Sequence, residues 1–342
     1  MTRRLVVDLE SPRAAWRAPD EVVGAIRDAA GPGWLVVQVD APAPSDSDGG
    51  SGSPASLVAA RGAEVYLGYG VPAGLLAAAG GTLRWAHSGT AGVGASLPYL
   101  RGSAVTLTNS AGVHAEPMAD WVLAAITYFA RGLDRMRALQ NAAQWAKDEF
   151  ADLLVPVREL RDLRIGVFGL GGIGTAVARR ALALGMSVAG VRRRPERGGP
   201  VGLRWVGGLD ALGRLASESD CLVIAAPHTA DTTEAVGREV LERLPVGAVV
   251  INVSRGSLLD EDTLLERLVA GRLRGAALDV FRTEPLPPGH PFWGHPRVLV
   301  SPHVSAVSTR FWERELGLIV ENIGRYLAGA PLRNVVDLEA GY

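Results

Sequence analysis

Short apolar runs alternate along this chain with Ala-rich stretches whose apolar residues recur at helical spacing. "RLVVDL", "WLVVQV", "EVYLGYG" and "LRWAHSG" read as strands, and "DEVVGAIRDAA" and "PAGLLAAAG" as helices. This is the βα rhythm of a parallel sheet. Between the second and third units, residues 41–55 ("APAPSDSDGGSGSPA") are too polar and too rich in Gly, Ser and Pro to pack, and are expected to form a mobile surface loop. Residues 113–140 keep helical spacing with no proline after Pro117, which predicts one long helix or a pair linking two domains. The βα rhythm then restarts with "LRIGVFG", "GTAVARRALALG", "SVAGV", "CLVIAAP", "VVINVS", "RGAALDVF" and "RVLVSPH". Residues 308–329 again read as a helix, and no repeat of fixed short period is present.

Composition narrows the class without changing that outline. A chain of 342 residues with 48% hydrophobic content has material for two cores. Its net charge of −1 creates no global field for nucleic acid or an anionic membrane, so neither is expected as a partner. The only cysteine, Cys221, falls in an apolar run, so no internal disulfide can form, which fits a reducing cytoplasm. "MTRRLVVDLE" lacks the apolar stretch of a signal peptide, and no run is long enough to span a bilayer.

The densest chemical signal is "RIGVFGLGGIGTAVARRALALGM", where Gly169, Gly171 and Gly174 form G-x-G-x-x-G between a strand and a helix. In a dinucleotide fold the first glycine permits the tight turn, the second admits the pyrophosphate to the backbone, and the third lets helix pack on strand. Gly172 and Ile173 then face the pyrophosphate through their amides, at the positive end of the helix. The tip of the second strand should face the adenosine ribose, where an acid selects NAD and an arginine accepts the 2′-phosphate of NADP. No acid occurs from 187 to 195, and "VRRRPERGG" puts Arg192 at that tip with Arg193 and Arg194 as further donors. A solvated charged turn is the bland alternative. The fold position favours the phosphate, hence NADP(H), with NAD(H) still possible.

Three further stretches, "INVSRGSLLDEDTL", "GAALDVFRTEPLP" and "VLVSPHVSAVS", join the glycine motif and "APHTADT" in a pattern that resembles the D-isomer-specific 2-hydroxyacid dehydrogenases. The resemblance runs from about residue 60 to the end. It implies Arg255 as the substrate clamp, His303 as the acid/base and Glu284 as its carboxylate partner. The chemistry of all three suits these roles. A guanidinium stabilises negative charge developing on a ketone oxygen, and an imidazolium kept charged by a carboxylate can protonate it. The resemblance also implies cofactor contacts at Pro227, Thr229, Val253 and Asp279, alongside Arg255 and His303. Asp279 matches an acid near the nicotinamide carboxamide. "LRWAHSGTAGVG" resembles the family's substrate loop, so the backbone of Gly89, Thr90, Ala91 and Gly92 is expected to hold the substrate carboxylate, with Gly68–Gly70 near the substrate side chain. Asp120 stands where the family usually has glutamate. His87, His114, His228, His290 and His295 lack the catalytic combination, and the last two read as structural. No metal is implied.

The expected architecture is therefore α/β: a Rossmann doubly wound parallel sheet over 109–306, plus a discontinuous flavodoxin-like substrate domain from 1–108 and 307–342, with the active site in the cleft between them. The expected reaction is interconversion of a 2-oxo acid and a D-2-hydroxy acid, in the manner of the glyoxylate/hydroxypyruvate reductase branch. Oxidation of formate or phosphite is a rival, although formate chemistry needs no paired histidine and glutamate. A dinucleotide-sensing co-repressor is another rival, since such proteins keep the same three residues. The family also implies a homodimer, in which Trp145 either reaches the neighbouring subunit or packs as an ordinary tryptophan.

Overall fold

The computed structural model describes residues 3–41 and 53–341, which form two compact units. The first runs up to His114 and resumes at Val307, and the second covers Ala115–Ala306. The expected junction at 108 would cut a strand. The strand Thr106–Asn109 pairs with its neighbour through Asn109, and the chain leaves the first unit only after His114.

The first unit holds five parallel strands: β1 (Arg3–Asp8), β2 (Trp34–Gln38), β3 (Val65–Gly68), β4 (Trp85–Ser88) and β5 (Thr106–Asn109). Their order is β2-β1-β3-β4-β5, the flavodoxin-like arrangement. Continuous apolar runs in the sequence reflect burial on both faces of the sheet. In β1, Leu5 and Val7 enter one core with Ile26, Trp85 and Ile319, while Val6 enters the opposite core with Leu75, Ala86 and Leu107.

Most of the loop expected at 41–55 lies outside the described residues. Its last residues are not loop: Pro54 and Ala55 open the helix Pro54–Ala59, capped by the Ser53 hydroxyl, which accepts from Ser56 N–H, with Ser56 Oγ accepting from Ser53 N–H in return. A proline at the first helical position and a reciprocal serine cap start a helix even in polar sequence.

The second unit holds β6 (Arg164–Phe168), β7 (Ser187–Val191), β8 (Val206–Gly207), β9 (Cys221–Ile224), β10 (Ala248–Asn252), β11 (Leu273–Leu278) and β12 (Val298–Val300). All are parallel, in the order β12-β11-β10-β9-β6-β7-β8, which is the Rossmann winding with one further strand. Cys221 is buried in β9, where burial pushes its thiol up to about 12 and makes it a packing group. The stretch 113–140 resolves into a pair of helices, Ala115–Ala130 and Leu133–Asn141. Gly132, at φ 67°, makes the break, and a Cβ there would lie 2.9 Å from Val155. A nearly buried, two-pronged pair between Asp134 and Arg274, both contacts 2.6 Å, fastens the second helix to β11. Among the described residues no helix is long and apolar enough to cross a membrane.

Candidate active site

Because every strand of the second unit runs the same way, the residues that follow the strands collect along one edge of the sheet. Gly169 follows β6, Arg192 follows β7, Pro227 and Thr229 follow β9, and Val253 and Arg255 follow β10. Asp279 and Glu284 follow β11, and His303 follows β12. The order reverses between β6 and β9, so the edge includes the topological switch point at which doubly wound sheets bind ligands. Neighbouring strands stand about 4.8 Å apart, which puts the β7 and β10 tips roughly 14 Å apart.

Each fingerprint glycine has a separate physical reason. Gly169 turns the chain at φ 102°, and a Cβ there would lie 2.4 Å from the Ala226 nitrogen. A Cβ on Gly174 would meet the Gly169 carbonyl oxygen at 1.9 Å, so the helix Gly172–Ala183 packs directly on the turn. Gly171 is the opposite case, because a Cβ there would meet nothing within 4 Å. Two glycines let the backbone close on itself and the middle one leaves a face open. No side chain caps this helix, so its N-terminal dipole faces that open side. These residues fit a dinucleotide, with pyrophosphate against the amides of Gly172 and Ile173.

The arginine tip is tied to the same turn. Gly169 N–H donates to Val191 O at 2.8 Å, and Arg192 is the next residue. Arg192 is half-buried, and its Nη1 donates to Gly198 O at 2.8 Å, which closes the loop 192–198. Arg193 and Arg194 are exposed beside it. Three guanidinium groups thus border the β7 tip. On the far side of the switch point "APHTADTT" ties itself into a compact loop: Thr229 N–H donates to Thr232 Oγ1 at 2.8 Å, and that hydroxyl donates to Pro227 O at 2.7 Å.

At β10, buried Asn252 organises the arginine loop, accepting from Ser254 N–H at 3.0 Å and donating to Arg255 O at 3.0 Å. Gly256 lets this loop press on the next one, since a Cβ would come 1.9 Å from the Phe281 carbonyl carbon. Phe281 N–H in turn donates to Glu284 Oε1 at 2.9 Å. The loops bearing Arg255 and Glu284 are therefore packed backbone to backbone.

His303 Nδ1 lies 2.7 Å from Glu284 Oε2. A carboxylate only accepts, so Nδ1 carries the proton and Nε2 is left for a substrate. The hydrogen bond from Glu284 raises the His303 pKa above its ordinary value against the opposing effect of burial, and the Arg255 charge also works downward. For Glu284 burial works upward, but the bonds from His303 and Phe281 N–H outweigh it and hold the carboxyl below its usual range. Between those two pKa values the pair is imidazolium and carboxylate.

Asp279 has a structural role that its sequence neighbourhood does not reveal. Its carboxylate is fully buried, with Oδ1 accepting from Val304 N–H at 2.9 Å and from the Ser301 hydroxyl, and Oδ2 accepting from Ser305 N–H at 2.9 Å. His303 N–H donates to Asp279 O at 2.9 Å. His303 itself sits at φ 55°, a left-handed conformation that costs a non-glycine residue about 1 kcal/mol. Asp279 holds the turn that imposes it.

Four of the five remaining histidines are accounted for by packing and turns. His290 and His295 accept from the N–H groups two residues on, Phe292 at 3.3 Å and Arg297 at 3.1 Å. His228 lies 3.0 Å from Thr233 Oγ1 on the surface. His114 stacks on Phe311, 5.3 Å between ring centres, and burial lowers its pKa to about 4. Asp120 and Glu116 both pair with Arg180 on the fingerprint helix, so the shorter acid still finds its cation.

In the first unit, the loop after β4 has its carbonyls turned inward. Thr90 O accepts from Ser110 N–H at 3.1 Å, Ala91 O from Asn109 Nδ2 at 2.7 Å, and Gly92 O from Thr90 Oγ1 at 2.7 Å. Gly89 N–H is bound to Gly68 O at 2.7 Å and Thr90 N–H to Ser88 Oγ at 3.4 Å, so of the four amides expected to hold a carboxylate these two are already engaged. Among the described residues no acceptor faces the amides of Ala91, Gly92 and Val93. Such a loop suits an anion. Asn109 and Ser110, which hold it, were not singled out from the sequence.

Glycine turn, arginine-rich second strand tip and charged His-Glu pair on one sheet edge define a nicotinamide-dependent dehydrogenase. The model of the D-isomer specific 2-hydroxyacid dehydrogenase NAD binding domain matches residues 123–305, more than half of the chain. The chain belongs to that family and is an NAD(P)-dependent D-2-hydroxyacid dehydrogenase. It is 32% identical over 228 residues to glyoxylate/hydroxypyruvate reductase A of Serratia proteamaculans, covering 67% of this chain and 69% of that one. A D-isomer specific 2-hydroxyacid dehydrogenase from Xanthobacter autotrophicus Py2, solved with NADPH and MES, superposes with a TM-score of 0.79 at 30% identity and full coverage of both chains. The NADPH-dependent glyoxylate/hydroxypyruvate reductase of Sinorhizobium meliloti, solved with NADP and sulfate, gives 0.76 at 28% identity, covering 99% of this chain and 100% of that one.

Proposed function

We propose that this enzyme is an NADPH-preferring reductase of small 2-oxo acids, of the glyoxylate/hydroxypyruvate type. The observation that carries the reading is the His303–Glu284 pair, 2.7 Å apart, on the sheet edge that also bears Arg255 and the glycine turn. The relatives named above, reductases crystallised with NADPH or NADP among them, support it. NADPH, when bound, supplies the hydride to the carbonyl carbon. The chain's own residues do the rest. Arg255 stabilises the negative charge that develops on the carbonyl oxygen, and His303 delivers a proton to that oxygen from Nε2. Glu284 keeps the imidazole oriented and charged. The amides of Ala91, Gly92 and Val93 hold the substrate carboxylate, and the loops at Thr229 and Val253 border the cofactor. A panel of glyoxylate, hydroxypyruvate, pyruvate and phenylpyruvate run with both cofactors tests the reading, and absence of NADPH consumption with all four overturns it.

Cofactor choice rests on the β7 tip. Arg192→Asp removes one fork and adds a carboxylate that repels a 2′-phosphate but can bond a 2′-hydroxyl. The ratio of kcat/KM for NADPH over NADH is expected to fall by about a hundredfold, as expected for loss of a charge-assisted bond plus gain of repulsion. An unchanged ratio would mean that the phosphate is held elsewhere.

We further read the enzyme as a cytoplasmic homodimer that binds no nucleic acid. Trp145 is 94% exposed, and Leu153 and Leu154 nearby are also exposed, an apolar surface that a second copy would cover. Sedimentation as a monomer at micromolar concentration would rule out the dimer. Recovery in a membrane fraction would rule out the compartment.

A further inference from the structure

The helix Phe311–Leu327 buries Phe311, Ile319 and Ile323, yet Glu315, on the same face, is buried completely as well. The i, i+4 spacing from Phe311 through Glu315 to Ile319 calls for a hydrophobe there. Replacing a buried ionic group by a packed hydrophobe is often neutral or stabilising, so stability alone gives no reason for a carboxylate.

Its contacts supply one. Glu315 Oε1 lies 2.9 Å from Ser110 Oγ and 2.9 Å from His87 Nε2. His87 Nδ1 is 2.8 Å from Thr108 Oγ1, which also accepts from Trp85 Nε1 at 2.9 Å. Ser110 grips the anion-holding loop through its N–H on Thr90 O, and its hydroxyl, with one proton to give, lies 2.9 Å from Ser88 O as well as from Glu315 Oε1. His87 and Ser88 are the last residues of β4, immediately before that loop. One buried carboxylate thus fixes the side chain that holds the loop and the strand end from which the loop springs.

We propose that Glu315 is a positioning residue for substrate binding, acting through Ser110 to set the Ser88–Gly92 backbone for the carboxylate of the 2-oxo acid. This rests on the reading of that loop as the carboxylate holder. Neither residue touches the substrate. Their effect is to keep the loop carbonyls turned away and its amides presented.

The test compares Ser110→Ala, Glu315→Leu, Glu315→Gln and the double variant Ser110→Ala/Glu315→Leu in the full chain. KM for glyoxylate, kcat, the NADPH dissociation constant, and the dissociation constant of oxalate with NADP present are measured. Ser110→Ala and Glu315→Leu are each expected to raise KM and the oxalate constant by about tenfold, the size of one lost hydrogen bond, with kcat and NADPH binding held. The double variant is expected to be no worse than either alone, because one residue works through the other. Glu315→Gln should restore most of the loss, since an amide oxygen in the place of Oε1 can still accept from both His87 and Ser110.

An unchanged KM in Glu315→Leu, or effects that multiply in the double variant, overturns the proposal. So does a parallel loss of kcat and NADPH binding. If Glu315→Leu fails to fold, Ser110→Ala decides: an unchanged KM and oxalate constant overturns the proposal, and a tenfold rise in both with kcat held supports it. A native chain that reduces no 2-oxo acid overturns the functional reading as well. Native activity with indifferent variants overturns this inference alone.

Discussion

Replacing His303 with alanine is expected to lower kcat for 2-oxo acid reduction by about 10²- to 10⁴-fold, the usual worth of a positioned general acid, while the NADPH dissociation constant stays close to native. The imidazole stands on the turn after β12, at the far end of the sheet edge from the arginines at the β7 tip, so its loss should spare the phosphate contacts that carry most of the cofactor affinity. Glu284→Gln offers a finer measure. The Glu284 hydrogen bond is the main cause that raises the His303 pKa, and burial opposes it. Reduction needs the imidazolium, so its rate is full below that raised pKa and is lost as pH rises through it. Oxidation of the hydroxy acid needs the neutral ring and follows the reverse course. Without the carboxylate the upper limb of the reduction profile should move to lower pH. A limb at the same pH in Glu284→Gln would show that another group titrates, and equal losses of turnover and cofactor binding in His303→Ala would make the histidine structural.

The fold was legible because period and burial agree. Strands that alternate between two cores must be apolar throughout, and β1, with Leu5 and Val7 on one face and Val6 on the other, shows why such runs announce a covered parallel sheet. Backbone geometry was legible where it sits in a short motif at a strand end, as with Gly169, Gly171 and Gly174. Residues that act across the chain left no local signal. Ser110 and Glu315 are 205 positions apart, and nothing in either neighbourhood announces their contact. A glutamate at an apolar position of an amphipathic helix was a visible anomaly, and it could have flagged the site. Asp279 was legible as an acid but not as a support, because its partners at 301, 304 and 305 are brought to it only when β12 docks on β11. The junction near 108 was misplaced for a similar reason. "TLTN" carries too little apolar pattern to read as a strand, and only pairing with β4 makes it one.

Arg255→Ala should lower kcat/KM for glyoxylate by about 10²- to 10³-fold, because in the proposed mechanism its guanidinium stabilises the charge that grows on oxygen during reduction. If Arg255 only bound the ground-state substrate, KM would rise and kcat would hold. If it acts on the developing oxyanion, kcat falls too. Its position favours the second outcome. Arg255 sits on a loop locked by Asn252 and pressed against the Glu284 loop through Gly256, so the charge is preorganised and needs no reorganisation during the reaction. The same charge lowers the His303 pKa. Its removal should therefore shift the upper pH limb of the residual reductase activity upward, opposite to the shift in Glu284→Gln. Arg255→Lys keeps the charge without the planar fork, so it should leave the limb near its native pH while recovering only part of the rate. Near-native catalytic efficiency in Arg255→Ala would remove the clamp assignment. Limbs moving the same way in Arg255→Ala and Glu284→Gln would show that Arg255 does not act on His303 through its charge.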